Sequence, residues 1–547
     1  MVNQRSRLSQ SERISPFLLV GTMLLAFALR IYQLDAQSLW YDEGVTADVA
    51  QRNLVELTRW TANDIQPPLY YYIVAGWGRL AGWSEWSLRF PSAFFGTLLV
   101  PTLTMLTVRL SGRRGAGGLA AFFTALHPLL LYYSQEARMY TLLLVLGVLT
   151  AYCVVRSAWD GHDRLGFFAY ILIATATIYT HYFAFFLLLA LAIAFFLDQF
   201  RQPLRTTRVP SGRVLRTFLL ANLIVLFLYI PWFTTLFNRL AVDASYWQGR
   251  LKWWEALRSV AVSFTGGETV RETQAVWLLL PFAGVTLFAL FELWPEDQRS
   301  NEQSRLLRYA LPWLIMPVAA VLTLASFAPK FNARYVMLAL PGLILIWAAG
   351  LSARWPGKSD NSLVSLRVVT VITSLLFTVG AFLYADRNWF ADPNFTKDEW
   401  RAVATFLRPR LKPDETVLLV SGHAWPVWNY YAPDLPAVRL PAIDVLDVNA
   451  VLTFANTTLP LRAAFAAETG KTAAWIIEWQ DEVVDPTGIV PVQLELAGRE
   501  KGQSVTFWGL SVQRFSGIKP NRIAEAPPIK TVLEANFGNQ LILHGYT

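Results

Sequence analysis

The feature that most constrains this 547-residue chain is a succession of apolar runs separated by short polar breaks. A bilayer-spanning helix needs about 20 mostly apolar residues. Runs of that order lie at about 16–34, 89–108, 115–133, 139–158, 166–180, 182–198, 215–237, 274–293, 309–327, 334–351 and 368–384. The stretch 166–198 is too long for one helix and divides near Thr180-His181-Tyr182. About eleven spans follow, and with them an α-helical polytopic membrane protein. Composition agrees. Only 16% of residues are charged, against about 25% in a soluble domain. The 22 Trp suit a protein with many membrane–water boundaries. Cys153 is the sole cysteine, which excludes a disulfide framework and any CxxC metal site.

Charge then orients the spans. The net charge is +8, yet residues 385–547 hold 15 Lys+Arg against 18 Asp+Glu. The basic excess therefore belongs to the apolar part, which suggests topology and not nucleic acid. With the N-terminus in the cytoplasm, the inner connections hold 19 Lys+Arg. The outer ones hold 11, offset by 12 acids. The clusters Arg109/Arg113/Arg114 and Arg201/Arg205/Arg208/Arg213/Arg216 both fall inside, as the positive-inside rule requires. The first run lacks a small-x-small cleavage site and reads as a retained anchor.

Two domains follow. Residues 1–384 form the transmembrane part, with a first outer loop over 35–88. Residues 385–547 lack a 20-residue apolar run and read as an α/β domain outside the cytoplasm. Within it Phe395–Arg408 has helical periodicity, and Thr416–Ser421, Ala473–Trp479 and Ser504–Gln513 have that of strands.

The first outer loop is chemically the richest. It opens with Trp40-Tyr41-Asp42-Glu43-Gly44. A carboxylate at a low-dielectric boundary can serve as a base near neutral pH; the plain alternative is a solvated loop. Asp64-Ile65-Gln66-Pro67-Pro68-Leu69-Tyr70-Tyr71 follows. Pro-Pro ends one helix and can start another, and the aromatics after it suit an interfacial helix over 67–85. Tyr133-Ser134-Gln135-Glu136-Ala137-Arg138 lies between two runs, where ionisable residues are expensive. Arg138 could hold a phosphate bidentately, or simply pair with Glu136. His181 sits between two helix ends, and a lone His is more often structural. Lys330 and Arg334 could grip an anionic head group or act as snorkelling anchors.

Gathered on one face, these acids and cations suit transfer from a phosphate-ester donor to a hydroxyl. The leaving phosphate is a weak base and needs no acid to protonate it, so one carboxylate is enough. Glycosidases, by contrast, need two. Cations stabilise the departing charge.

At these motifs the chain resembles the GT-C superfamily of polyprenyl-phosphate-sugar transferases, and within it the protein mannosyltransferase and aminoarabinose transferase group. The matching elements are Trp40-Tyr-Asp42-Glu43, Gln66-Pro-Pro-Leu-Tyr70-Tyr71, Gly82-x-Ser84-Glu85-x-x-x-Arg89, Tyr133-Ser-Gln-Glu136-Ala-Arg138-Met-Tyr140, Tyr179-Thr-His181-Tyr182 and Arg334-Tyr335. The resemblance implies Asp42 as catalytic base with Glu43 beside it. It also implies a donor entering from the outer leaflet of the cell membrane, and inversion at the sugar carbon. Arg138, His181 and Arg334, with Lys330, would hold the phosphate. Asp64, Gln66, Tyr70, Tyr71 and Glu136 would line the substrate path. Many relatives have His where this chain has Gln66, and an amide is a poor ligand for transition metals. A divalent metal is therefore left open. The acceptor would be a lipid, glycan or protein hydroxyl, with no nucleic acid involved. The alternatives are a transporter or lipid flippase, disfavoured by charges collected at one face without a repeat, and a sensor built on the outer domain.

Overall fold

A computed structural model describes residues 15–64, 66–160, 164–201, 212–241, 250–294, 301–327, 331–352, 363–527, 531–538 and 541–546. The chain divides into two compact units. The first takes the described residues of Met1–Ala36, Val49–Val242 and Gln248–Thr396; the second takes those of Gln37–Asp48 and Lys397–Thr547. The Trp40-Tyr41-Asp42-Glu43 segment thus belongs to the second unit, with the tail, although the sequence joins it to the spans.

The first unit is helical. Every apolar run of the sequence is occupied by helix. Its main elements are α1 (Pro16–Ile31), α2 (Tyr41–Gln51, which begins in the second unit), α3 (Leu54–Ala62), α4 (Leu69–Ala81), α5 (Glu85–Ser111), α6 (Arg114–Leu126), α7 (Pro128–Ser134), α8 (Tyr140–Asp160), α9 (Arg164–Ile178), α10 (Ala184–Arg201), α11 (Gly212–Ala241), α12 (Trp253–Gly266), α13 (Glu272–Leu293), α14 (Asn301–Phe327), α15 (Leu340–Leu351) and α16 (Leu363–Ala391). Among the described residues six helical segments are long and apolar enough to span a bilayer, or seven if α6 and α7 are one bent span. Four further apolar helices are shorter, α1 among them. The chain is a multi-pass membrane protein. The division expected at Thr180-His181-Tyr182 is present, as the break between α9 and α10.

Local chemistry sets the helix ends. Ser84 caps α5 by accepting from Ser87 N, and Gly112 closes it in the left-handed region at φ 65°. The run 115–133 is not one straight helix: it bends by 53° between α6 and α7. Pro128 lacks the N–H that would continue the ladder, and the freed carbonyls need donors where water is scarce. Arg30 supplies them. Its Nη2 donates to Thr124 O at 3.0 Å and its Nη1 to Ala125 O at 3.1 Å. A seam of small residues, Ala26, Ala121 and Ala125 with Val100, lets α1, α5 and α6 approach closely enough for this.

Beyond α7 the chain turns through Gln135. Its amide donates to the carbonyls of Leu29, Arg30 and Tyr32 at 3.2, 3.1 and 2.7 Å, and its oxygen accepts from Trp389 Nε1. The Pro-Pro segment starts a helix of only 13 residues, α4, ended by Gly82 at φ 83°.

The second unit is built on a six-stranded sheet: β1 (Glu415–Val420), β2 (Ala437–Leu440), β3 (Ala473–Glu478), β4 (Glu500–Lys501), β5 (Val505–Phe507) and β6 (Leu510–Ser516). The order is β2-β1-β3-β6-β4, with β5 also on β6. β1 runs parallel to both β2 and β3, while β6 is antiparallel to β3. The chain leaves β1 toward one side and returns on the other, so β1 and β3 flank a topological switch point. Leu418, Val420, Ile476, Leu494 and Phe515 anchor the core. The run Ser504–Gln513 is not one strand. It reverses at Trp508-Gly509, with Gly509 at φ 77°, and makes the β5–β6 hairpin. The helix expected over Phe395–Arg408 begins only at Trp400, because Pro393–Phe395 forms a tight turn capped by Asp392.

Replacing Arg30 by Met takes the side-chain donor from two buried carbonyls, Thr124 O and Ala125 O, each costing about 1–3 kcal/mol. The unfolding temperature of the purified protein in detergent should fall by several degrees. An unchanged midpoint contradicts this account of the bend.

Candidate functional site

In the second unit, α2 starts one residue after Trp40 and carries Asp42 and Glu43 in its first turn. That position suits acids, because the unpaired N–H groups of a helix start favour negative charge. The two carboxylates differ. Glu43 is fully buried. Its Oε2 accepts from Trp40 N at 3.4 Å, half of a capping box, and from Lys397 Nζ at 3.2 Å. Asp42 is half-buried. Gly44 follows because nothing larger fits: an added Cβ would lie 2.6 Å from Val427 Cα.

In the first unit, three sequence-distant turns converge. Tyr133 and Tyr140 bracket the Glu136–Arg138 turn with ring centroids 4.8 Å apart. Tyr140 lies 6.3 Å from the His181 ring. His181 contacts Phe183, and Phe183 contacts Tyr335, centroids 5.1 and 5.8 Å apart. Arg138 and Arg334 both act electrostatically on His181. Glu136 and Arg138 are buried, with relative exposures of 0% and 5%. Arg334 sits in a 3-10 turn, Ala333–Ala339, whose cap is Asn332 Oδ1 accepting from Arg334 N at 3.0 Å.

His181 is a neutral hydrogen-bonding group here. Burial, and then the charges of Arg138 and Arg334, lower its pKa to about 3. Its Nδ1 faces Phe183 N–H at 3.1 Å. A neutral ring that accepts at Nδ1 carries its proton on Nε2, so it offers a donor beside two guanidinium groups.

The Pro-Pro element is tied to the same cluster. Leu69 N donates to Tyr179 O at 3.1 Å. Tyr71 OH donates to Gln66 Oε1 at 3.4 Å. Ser92 Oγ spends its proton on Arg138 O at 2.9 Å, so Tyr70 OH is the donor in its 2.7 Å contact with Ser92. Tyr70, through Ser92, therefore supports the backbone of the Arg138 turn, while Tyr71 and Gln66 bond to each other. Asp64 is half-buried just past α3. Lys330 lies outside the described residues.

One residue escaped the sequence reading. Glu268 follows Gly266-Gly267, and Gly267 (φ 69°) packs so tightly that a Cβ would lie 2.9 Å from Pro128 Cβ. The turn is also fixed by His127 Nε2 against Phe264 O at 3.1 Å. Glu268 acts on Tyr133 together with Glu136 and Arg334. It is reached by solvent, but protein surrounds it closely enough that desolvation raises its carboxyl pKa, against Ser263 and Arg334. The Gly-Gly-Glu triplet was the only signal available.

Among the described residues no three His, Cys, Asp or Glu side chains gather as metal ligands. Gln66 is occupied by Tyr71. No step is assigned to a metal.

His181 generates a pH prediction. The unfolded chain takes up a proton on this residue near pH 6.5 and the folded chain only near pH 3, so stability falls on acidification through that window. In His181→Asn the drop in unfolding temperature between about pH 6.5 and about pH 4 should shrink. An identical drop in both proteins contradicts a buried neutral His181.

Residues 65–234 match the family model described as dolichyl-phosphate-mannose-protein mannosyltransferase. No curated protein sequence matches the chain. Among solved structures, apo ArnT from Cupriavidus metallidurans is similar at TM-score 0.55 and 14% identity, over 94% of this chain and 98% of that one. ArnT bound to undecaprenyl phosphate gives 0.51 and 14%, over 94% and 99%. The Archaeoglobus fulgidus oligosaccharyltransferase, in complex with Zn and sulfate, gives 0.53 and 12%, over 91% and 73%. The chain therefore has the GT-C fold, and the resemblance of its motifs to the protein mannosyltransferase and aminoarabinose transferase group is borne out.

Proposed function

We propose that this protein is a membrane glycosyltransferase that moves a sugar from a polyprenyl-phosphate donor to an acceptor hydroxyl outside the cytoplasm. The observation that carries the reading is the meeting of Arg138, Arg334 and the Nε2–H of His181 in one cluster of the helical unit. Two guanidinium groups and a neutral donor suit a phosphate that gains charge as the sugar leaves. The likeness to ArnT, solved with undecaprenyl phosphate, supports the lipid class.

In this reading Asp42 accepts the acceptor's hydroxyl proton. The acceptor oxygen forms its bond to the anomeric carbon from the face opposite the phosphate. The carbon–oxygen bond to phosphate breaks, and its electron pair leaves with the polyprenyl phosphate. One displacement of this kind inverts the anomeric centre. The motif resemblance puts the base at Asp42, and Glu43 beside it binds Trp40 N and Lys397. Arg138, Arg334 and His181 hold the leaving group, with Lys330 assigned beside them. Tyr70, through Ser92, steadies the turn on which Arg138 rides, and Gln66 and Tyr71 border the substrate path. Glu136 and Glu268 balance its charge, and Asp64 borders the substrate path. The protein would work in the cell membrane, N-terminus in the cytoplasm and second unit outside.

The test is transfer from a radiolabelled polyprenyl-phosphate sugar by purified protein. Asp42→Asn should lower kcat by about 10²–10⁴ with donor KM little changed. Arg138→Gln should raise donor KM as well as lower kcat. Full transfer by Asp42→Asn removes Asp42 from the mechanism, and full transfer by Arg138→Gln removes the phosphate cradle.

A further inference from the structure

Open α/β sheets bind their ligands in the crevice at the carboxyl ends of the strands, where the strand order reverses. In the second unit that crevice lies beyond β1 and β3. Just past each strand lies a non-glycine residue with left-handed backbone, Ser421 (φ 68°) one residue after β1 and Gln480 (φ 46°) two residues after β3. Such backbone costs of order 1–3 kcal/mol and persists where the surroundings demand it. Ser421 Oγ donates to Gln480 O at 3.3 Å, tying the two strand ends together. The walls are His423, just past β1, and Trp479, just past β3, with ring centroids 5.4 Å apart.

The crevice is filled by the chain itself. Tyr41 stands 5.3 Å from His423 and 5.6 Å from Trp479, centroid to centroid. Trp400 closes the base, 5.7 Å from Trp479. Polar bonds run outward from this plug to the neighbouring carboxylates. Trp479 Nε1 donates to Asp398 Oδ2 at 2.8 Å. The adjacent Lys397 donates from Nζ to Glu43 Oε2 at 3.2 Å, and its backbone N donates to Gln37 Oε1 at 2.9 Å. Tyr431 OH accepts from Leu39 N at 2.6 Å, and Arg401 N donates to Ser38 Oγ at 3.2 Å. Gly44 touches the backbone of Val427. The segment 37–44 is thus gripped along its length by one soluble unit.

We propose that the second unit is the mount of the catalytic base: its switch-point crevice holds Tyr41, and Lys397 and Trp479 act as positioning residues that fix Asp42. This rests on Asp42 being the base. The energetic logic is that of preorganisation. Asp42 sits between an aromatic plug at position 41 and a buried ion pair at position 43, so the helix turn that carries it has no freedom to rotate. A displacement of about 1 Å at a reacting group can cost about a hundredfold in rate.

The experiment uses the full chain in detergent, with two readouts. Amide hydrogen exchange of the peptide covering 37–48 reports the mount without reference to activity. Steady-state transfer reports kcat and donor KM. Tyr41→Ala and Lys397→Met should speed exchange of that peptide and lower kcat by about tenfold to a hundredfold, with donor KM within about threefold. Tyr41→Phe and Lys397→Arg keep the ring and the charge and should restore both readouts. Should either severe variant fail to fold, Trp479→Phe keeps the packing, drops the bond to Asp398, and should give a smaller loss in kcat alone. Unchanged exchange in Tyr41→Ala, or faster exchange with unchanged kcat, overturns the proposal. Full turnover by Asp42→Asn overturns the assignment of the base instead, and leaves the exchange result standing as a purely structural grip.

Discussion

The first unit depends on how a bilayer protein satisfies a broken helix. Where water is scarce every backbone carbonyl needs a donor, and a proline-induced bend takes one away. Arg30 restores the balance at the α6–α7 bend by donating to Thr124 O, Ala125 O and Ser134 Oγ. Without that guanidinium the carbonyls of Thr124 and Ala125 would lose these donors, and Pro128 supplies none in a straight helix either. Just past α7, Gln135 ties the following turn to the carbonyls of Leu29, Arg30 and Tyr32, and that turn carries Arg138 of the charged cluster.

Within that cluster the charges are graded. Arg138 and Arg334 are fixed cations, His181 is held neutral, and Glu268 and Glu136 counter them nearby. Such an arrangement welcomes a monoanion and gains as negative charge grows on it. A ring of bare cations would bind product too tightly to release it. In the proposed reaction donor and product would differ by about one charge unit on the phosphate, so moderation of the cations would bear on turnover as well as on binding.

Much of the helical architecture was legible because lipid solvation writes itself as long apolar runs, and each run is helix. The bend at Pro128 was less legible. Hydropathy registers how apolar a stretch is and not where the chain changes direction. The Trp508-Gly509 reversal was hidden for a related reason, since alternation continued on both sides of it. At the site, Arg138, His181 and Arg334 were visible as ionisable residues tight against apolar runs. Glu268 was not, since one acid in a polar connection looks like any other until Gly267 packs on Pro128. The partnership of Glu43 with Lys397 spans 354 positions, and no local pattern reports a contact of that range. For the same reason the sequence assigned 37–48 to the spans, whereas the fold assigns it to the sheet unit.

The claim on which the account turns is that the Arg138–His181–Arg334 cluster receives the phosphate of a polyprenyl lipid. Photo-crosslinking tests it most directly, using a polyprenyl phosphate with a diazirine beside the head group and peptide mapping of the adducts. The account expects labelling within 133–140, 179–183 or 333–339, competed by unlabelled polyprenyl phosphate and lost in the Arg138→Gln/Arg334→Gln double variant. Labelling confined to other segments, or labelling of these segments that persists when both guanidinium groups are gone, would contradict it.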